Sequence, residues 1–159
     1  MIYLDSAATT LQKPARVAAA MARAVNSLAS PGRGGHPAAQ RAAQMAFRCR
    51  EEAARLFELN DPEQVVFTAN CTHSLNIAIH TMVQPHAPVV VSGFEHNAVM
   101  RPIRQLEKEG VSFDRIPCNS QGELILESLE QLLKENTKAV ILMHASNVCG
   151  TILPLKEVG

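Results

Sequence analysis

The chain of 159 residues is long enough for one domain with a sizeable core, and its 47% hydrophobic content is spread along the whole length. No stretch reaches the roughly 18 uninterrupted apolar residues of a membrane span, and Met1-Ile2-Tyr3-Leu4-Asp5 lacks the basic-then-apolar pattern of a secretion signal. The 15 basic and 15 acidic residues are intermixed and cancel, which removes the electrostatic case for nucleic acid or an anionic membrane as partner.

Residues 14–29 carry Val17, Met21, Ala24, Val25 and Leu28 at helical spacing, with Pro14 suited to a first turn. Ser30-Pro31-Gly32-Arg33-Gly34-Gly35 breaks that pattern. A long Ala- and Arg-rich helix is predicted from about Pro37 to Leu59, ended by Asn60-Asp61-Pro62. Val65–Thr68 reads as a short strand. The next helix is predicted over about residues 72–83, where Leu75, Ala78, Ile79 and Met82 share one face. Pro88–Ser92 is a strand, and Val99, Ile103 and Leu106 line a helix closed by Gly110. Pro102 fits that helix only if it begins close to residue 99, because an early turn has spare N–H groups. Val111–Ile116 is a strand, and Ile125, Leu129, Leu132 and Leu133 make a helix. Ala139–Met143 is a continuous apolar run, as expected of a strand covered on both faces, and Pro154–Gly159 reads as the opening of a helix. Strands alternating with helices predict an α/β fold, a mostly parallel sheet flanked by helices.

Three polar clusters follow predicted strands: Asn70-Cys71-Thr72, Glu95-His96-Asn97 and Ser146-Asn147. In an open parallel sheet, ligands bind beyond the carboxyl ends of the strands. Thr72 at a helix start could join free backbone N–H groups in holding a phosphate, or could simply cap the helix. His96 could stack on an aromatic ligand, move protons near neutral pH or bind metal; the competing reading is a loop histidine bonded to backbone. Asn147 could donate to a ligand oxygen or form an Asx-turn. The shared sheet edge favours one phosphate-bearing ligand. No His, Cys, Asp or Glu spacing suggests a metal site. Cys49, Cys71, Cys118 and Cys149 contain no Cys-x-x-Cys pair and read as reduced thiols of a cytoplasmic protein.

Tyr3-Leu4-Asp5-Ser6-Ala7-Ala8-Thr9-Thr10 with Lys13-Pro14, and Pro31-Gly32-Arg33-Gly34-Gly35-His36, resemble the start of cysteine desulfurase-like proteins. Val65 through Asn76, Glu95-His96-Asn97-Ala98-Val99 and Ser146-Asn147-Val148-Cys149-Gly150-Thr151 continue the match in order and spacing. These proteins are class V aminotransferases, fold-type I enzymes that use pyridoxal 5′-phosphate. The resemblance implies that residues 1–14 form an N-terminal arm and residues 15–159 the first portion of the large, cofactor-binding domain, its sheet incomplete. It implies that Thr72 and the backbone at Cys71 hold the cofactor phosphate. His96 would stack on the pyridine ring and assist proton transfer, making it the catalytic residue of this segment, and Asn147 would bond the phenolic oxygen.

The implied reaction takes sulfur from L-cysteine to leave L-alanine and a persulfide on an enzyme thiol. A homodimer is expected for the full-length enzyme, and a sulfur-acceptor protein is a further expected partner. Selenocysteine lyase, another class V activity and a non-catalytic truncated product are the alternatives. The family's Asp-x-x-Gln segment, Schiff-base lysine and sulfur-accepting thiol follow later in relatives. None of Lys13, Lys108, Lys134, Lys138 and Lys156 has the expected His-Lys context, so the isolated chain is expected to be inactive. Val65–Thr68 is expected to lack its family neighbour, leaving an edge that makes the isolated chain marginal or prone to association.

Overall fold

The structure is a computed structural model and describes residues 2–159. The chain folds as two compact units, one ending at Phe67 and the other running Thr68–Gly159. The first holds α1 (Ala15–Ser27), α2 (Pro37–Leu56) and a short 3-10 turn, Pro62–Gln64. Prolines mark both helix starts, Pro14 just before α1 and Pro37 at the first turn of α2, where the missing N–H has no helical partner to lose. Glu58, with φ of 55°, breaks the helical path, so α2 stops short of the expected Leu59. Burial in this unit is slight. Its buried residues are Ala39, Ala42 and Ala54, while Val17, Met21 and Val25 of α1 remain exposed.

The expected strand at Val65–Thr68 does not form. Val65 is extended (φ −91°, ψ 115°), and an extended segment becomes a strand only with a hydrogen-bonding neighbour. Among the described residues no ladder includes residues 65–68.

The second unit contains α3 (Cys71–Met82), β1 (Pro88–Ser92), α4 (Asn97–Leu106), β2 (Ser112–Ile116), α5 (Glu127–Leu132), β3 (Ala139–Ile141) and α6 (Leu155–Val158). Its sheet is parallel, in the order β2-β1-β3, with Val90 opposite Asp114 on one side and Val140 on the other. Every residue of β1 is buried, which explains its unbroken apolar run. The two-residue period of the strand splits its side chains between faces. Val89 and Val91 join Ile79 of α3, Val83 just beyond its end, and Val99, Ile103 and Leu106 of α4 in one cluster. Val90 joins Ile116, Leu124, Leu129 and Leu153 in another. Burying each such aliphatic side chain contributes about 1.5–3 kcal/mol. The α/β layering expected from sequence is therefore present, with a sheet that is short and open.

Pro102 corrects one expectation. α4 begins at Asn97 rather than near residue 99, so Pro102 lies beyond the first turn. It is buried within α4 although its ring cannot make the helical hydrogen bond, and it also lines the cleft between α3 and α4. Gly110 ends the element as expected: a 3-10 turn, Glu107–Glu109, extends α4, and Gly110 takes the left-handed conformation with φ of 88°.

Candidate functional site

α3 starts where Asn70 caps it. The Asn70 side-chain oxygen accepts from the His73 N–H at 2.9 Å, and the Asn70 carbonyl accepts from the Ser74 N–H at 3.1 Å. Thr68 Oγ1 lies 2.6 Å from the Ser74 hydroxyl and donates to the Asn70 carbonyl at 3.0 Å, bracing the turn from outside. Thr72 is therefore not the N-cap. With Asn70 in that role, the Thr72 hydroxyl is spared capping duty. Cys71 and Thr72 occupy the first helical turn, where N–H groups have no intrahelical acceptor and the positive end of the helix dipole lies. Both residues are exposed.

His96 caps α4 in the same way, its Nδ1 accepting from the Ala98 N–H at 3.0 Å. The bland expectation, a loop histidine bonded to backbone, is thus met by one nitrogen. The rest of the ring is exposed beside a cleft of about 340 Å³ between α3 and α4. Thr72 and Asn76 line it from α3, and His96, Asn97, Arg101 and Gln105 from α4 and its cap. Arg101 is the one fully charged side chain among the lining residues, and it is a cation. A hydroxyl, carboxamides, an imidazole and a guanidinium make a lining matched to an anion with several acceptor oxygens.

Asn147 and Cys71 do not line this cleft. Asn147 sits on an exposed turn after β3. Ser146 anchors that turn: its N–H donates to the Thr151 carbonyl (2.8 Å), its carbonyl accepts from Gly150 (2.9 Å), and its Oγ accepts from Val148 (3.2 Å) and Cys149 (3.3 Å). Gly150, at φ of 75°, supplies the left-handed residue that the return requires. The Cys149 thiol is lowered to about 7 by the Ser146 and Thr151 hydroxyls beside it, and its sulfur lies 3.2 Å from Thr151 Oγ1. Burial raises the Cys118 thiol above its ordinary value.

Glu95 joins the two strand exits. Its Oε1 accepts from the Ser92 hydroxyl at 2.5 Å and from the Met143 N–H, beyond the end of β3, at 2.6 Å. Burial pushes its carboxyl above the ordinary value, while the Ser92 and Met143 bonds and nearby His96 offset part of that rise. The sequence expectation of three neighbouring strand ends becomes two strand ends and one helix start. Thr72 and His96 come together through α3–α4 packing, and Glu95, bonded to the Met143 N–H, connects the His96 segment to the strand end that leads to Asn147. Sequence reading left Asn70, Glu95 and Arg101 without roles. Asn directly before a helical period is an N-cap signal, but nothing in the sequence pairs Glu95 with Met143. Among the described residues no group of three or more His, Cys, Asp or Glu side chains is placed to hold a metal, and no helix is long and apolar enough to cross a membrane.

Residues 2–159 match the family model described as aminotransferase class-V. The chain is 32% identical to a probable cysteine desulfurase of Halalkalibacterium halodurans, over 99% of its own length and 40% of that protein's. It is 33% identical to a cysteine desulfurase of Nostoc sp., covering 100% of this chain and 40% of the relative. The solved structure of a NifS-like protein superposes with a TM-score of 0.91 at 28% identity, covering 99% of this chain and 44% of that one. The chain thus spans about 40% of the length of these curated relatives.

Proposed function

Because this chain belongs to the class-V aminotransferase family, we propose that it forms the cofactor-binding front of a pyridoxal-phosphate enzyme of the cysteine desulfurase kind. The observation that carries this reading is the α3–α4 cleft, which joins Thr72 in the first turn of α3 to an exposed His96 ring and a lone cation, Arg101. These residues fit a flat ring bearing a phosphate. Thr72 and the backbone N–H groups of Cys71 and Thr72 would hold the phosphate, and His96, whose Nδ1 accepts from the Ala98 N–H, would stack on the ring. Asn147, on the turn after β3, would donate to the ring's oxygen. When bound, the cofactor supplies an electron sink for charge developing at an amino-acid α-carbon.

The whole protein would act on L-cysteine, leaving L-alanine and passing sulfur to an enzyme thiol and then to an acceptor protein. It would work as a homodimer in the cytoplasm. Residues 1–14 would be its arm, and residues 15–159 part of its large domain. No lysine lines the cleft: Lys134 pairs with Asp114 at 3.0 Å, and Lys138 borders a separate apolar groove. Binding by this chain alone is expected to be non-covalent, and the chain alone is expected to be inactive.

Titration with pyridoxal 5′-phosphate and with pyridoxal, followed by borohydride reduction and mass analysis, tests this. The expected result is reversible binding that requires the phosphate. Equal affinity for pyridoxal, or stoichiometric fixation on one of these lysines, would overturn the assignment.

A further inference from the structure

We infer that Glu95 is a positioning residue, a strap that sets His96 and the Ser146–Asn147 turn at a fixed separation. The inference rests on the cofactor reading above for its purpose, but not for its geometry. A single carboxylate oxygen collects two donors: the Ser92 hydroxyl at the end of β1 and the Met143 N–H, 48 residues away, beyond the end of β3. Both bonds are short and partly buried, as expected where a carboxyl group accepts. β1 and β3 are already paired, yet their ladder ends at Val91 opposite Ile141. Past that point the chains are free to diverge, and Glu95 spans the gap.

Each end of the strap leads directly to a site residue. On one side the next residue is His96, the cap of α4. On the other, Met143 begins a loop closed by paired backbone bonds. Leu153 N–H donates to His144 (2.9 Å) and Ser146 N–H to Thr151 (2.8 Å), so movement at Met143 carries the turn at Asn147 with it. Near the strap the backbone has little slack, because a Cβ on Gly93 would meet Cys118 Sγ at 2.6 Å and the Ile116 carbonyl at 3.1 Å. Glutamine at position 95 preserves an acceptor oxygen at similar reach; alanine removes it.

The test uses the full chain with Glu95→Ala and Glu95→Gln, read by amide hydrogen exchange and by pyridoxal 5′-phosphate binding. In Glu95→Ala, exchange at Met143, Ser146 and Leu153 should rise at least tenfold while Val89–Val91 stay protected. Its cofactor affinity should fall about tenfold, and at saturation the circular dichroism of the bound ring should change. Glu95→Gln should restore exchange, affinity and ring signal to within about threefold of wild type. Unchanged protection of Met143 in Glu95→Ala overturns the strap, whatever the cofactor does. Faster exchange with affinity and ring signal unchanged overturns its positioning role. A wild-type chain that does not bind the cofactor sinks the function proposed for the cleft, while the exchange data still decide whether the strap holds the turn.

Discussion

Replacing Asn70 separates helix capping from anion binding. The Asn70 carboxamide accepts the His73 N–H at 2.9 Å, so Asn70→Ala should cost about 1 kcal/mol of stability through loss of the cap. Asn70→Asp keeps an acceptor in place and adds a negative charge at the positive end of α3, a change worth about 0.3–1 kcal/mol in favour of folding. The same charge opposes a phosphate at the helix start. Asn70 is exposed, so the bulk-water limit applies, about 1 kcal/mol for unit charges about 4 Å apart. A phosphate carrying between one and two charges then binds about 5- to 30-fold more weakly. Urea unfolding gives the stability, and titration with pyridoxal 5′-phosphate at low and high salt gives the affinity. Salt should shrink the Asp penalty, since exposed charges are screened within about 8 Å at physiological ionic strength. An Asn70→Asp chain that is as stable as wild type and binds phosphate equally well would refute placement of the anion at this helix start.

Thr72→Val should weaken phosphate-dependent binding about 2- to 10-fold, the worth of one hydrogen bond, with unfolding unchanged and pyridoxal binding unaffected. Iodoacetamide labelling of Cys149 should show a midpoint at about pH 7, and Thr151→Val should move it upward because one thiolate-stabilising hydroxyl is gone; peptide mass spectrometry reads both. Ile103→Ala, at a fully buried position of the α3–α4–β1 cluster, should cost about 2–5 kcal/mol in denaturant unfolding. For Glu95, the folded state favours the protonated carboxyl, so its contribution to stability is present below its unfolded value and declines as pH rises through its raised folded value. Glu95→Gln should remove that decline, which unfolding measured at several pH values from 4 to 7 would detect, and parallel curves for the two proteins would contradict it.

The second unit was legible because its core writes itself into the sequence. The run at Val89–Val91 needs cover on both faces, and the helical spacing of Val99, Ile103 and Leu106 matches the face that α4 turns to β1. Gly110 closed the helix where its positive φ demanded a glycine. Val65–Thr68 failed for the complementary reason. β-branched and aromatic content makes a segment fit for a strand, but pairing is a property of the neighbour, and that information is absent from the segment itself. Pro102 departed from the local rule about spare N–H groups: it sits past the first turn of α4, at a buried position that a local rule does not register. At the site, residue types pointed to Thr72, His96 and Asn147. The partition of those residues between a helix cleft and a sheet-end turn was invisible, because it depends on α3–α4 packing and on a contact between Glu95 and a backbone N–H.

His96 shows how a structural duty limits a chemical one. Its Nδ1 accepts the Ala98 N–H, so Nδ1 carries no proton and the neutral ring bears its proton on Nε2. In that state Nε2–H is the ring's one donor. A proton on Nδ1 and the Ala98 N–H cannot occupy the same lone pair, so this cap holds only while Nδ1 is unprotonated. As proposed above, His96 would support the cofactor ring and present Nε2–H, leaving proton abstraction from substrate to another group while the cap holds. Nitrogen-15 shifts of the His96 ring across pH 5 to 8 discriminate the two cases. A protonated Nε2 with an unprotonated Nδ1 near neutrality supports the donor state, whereas a proton on Nδ1 in the neutral ring would mean that the cap is broken and the ring is free to act as a base.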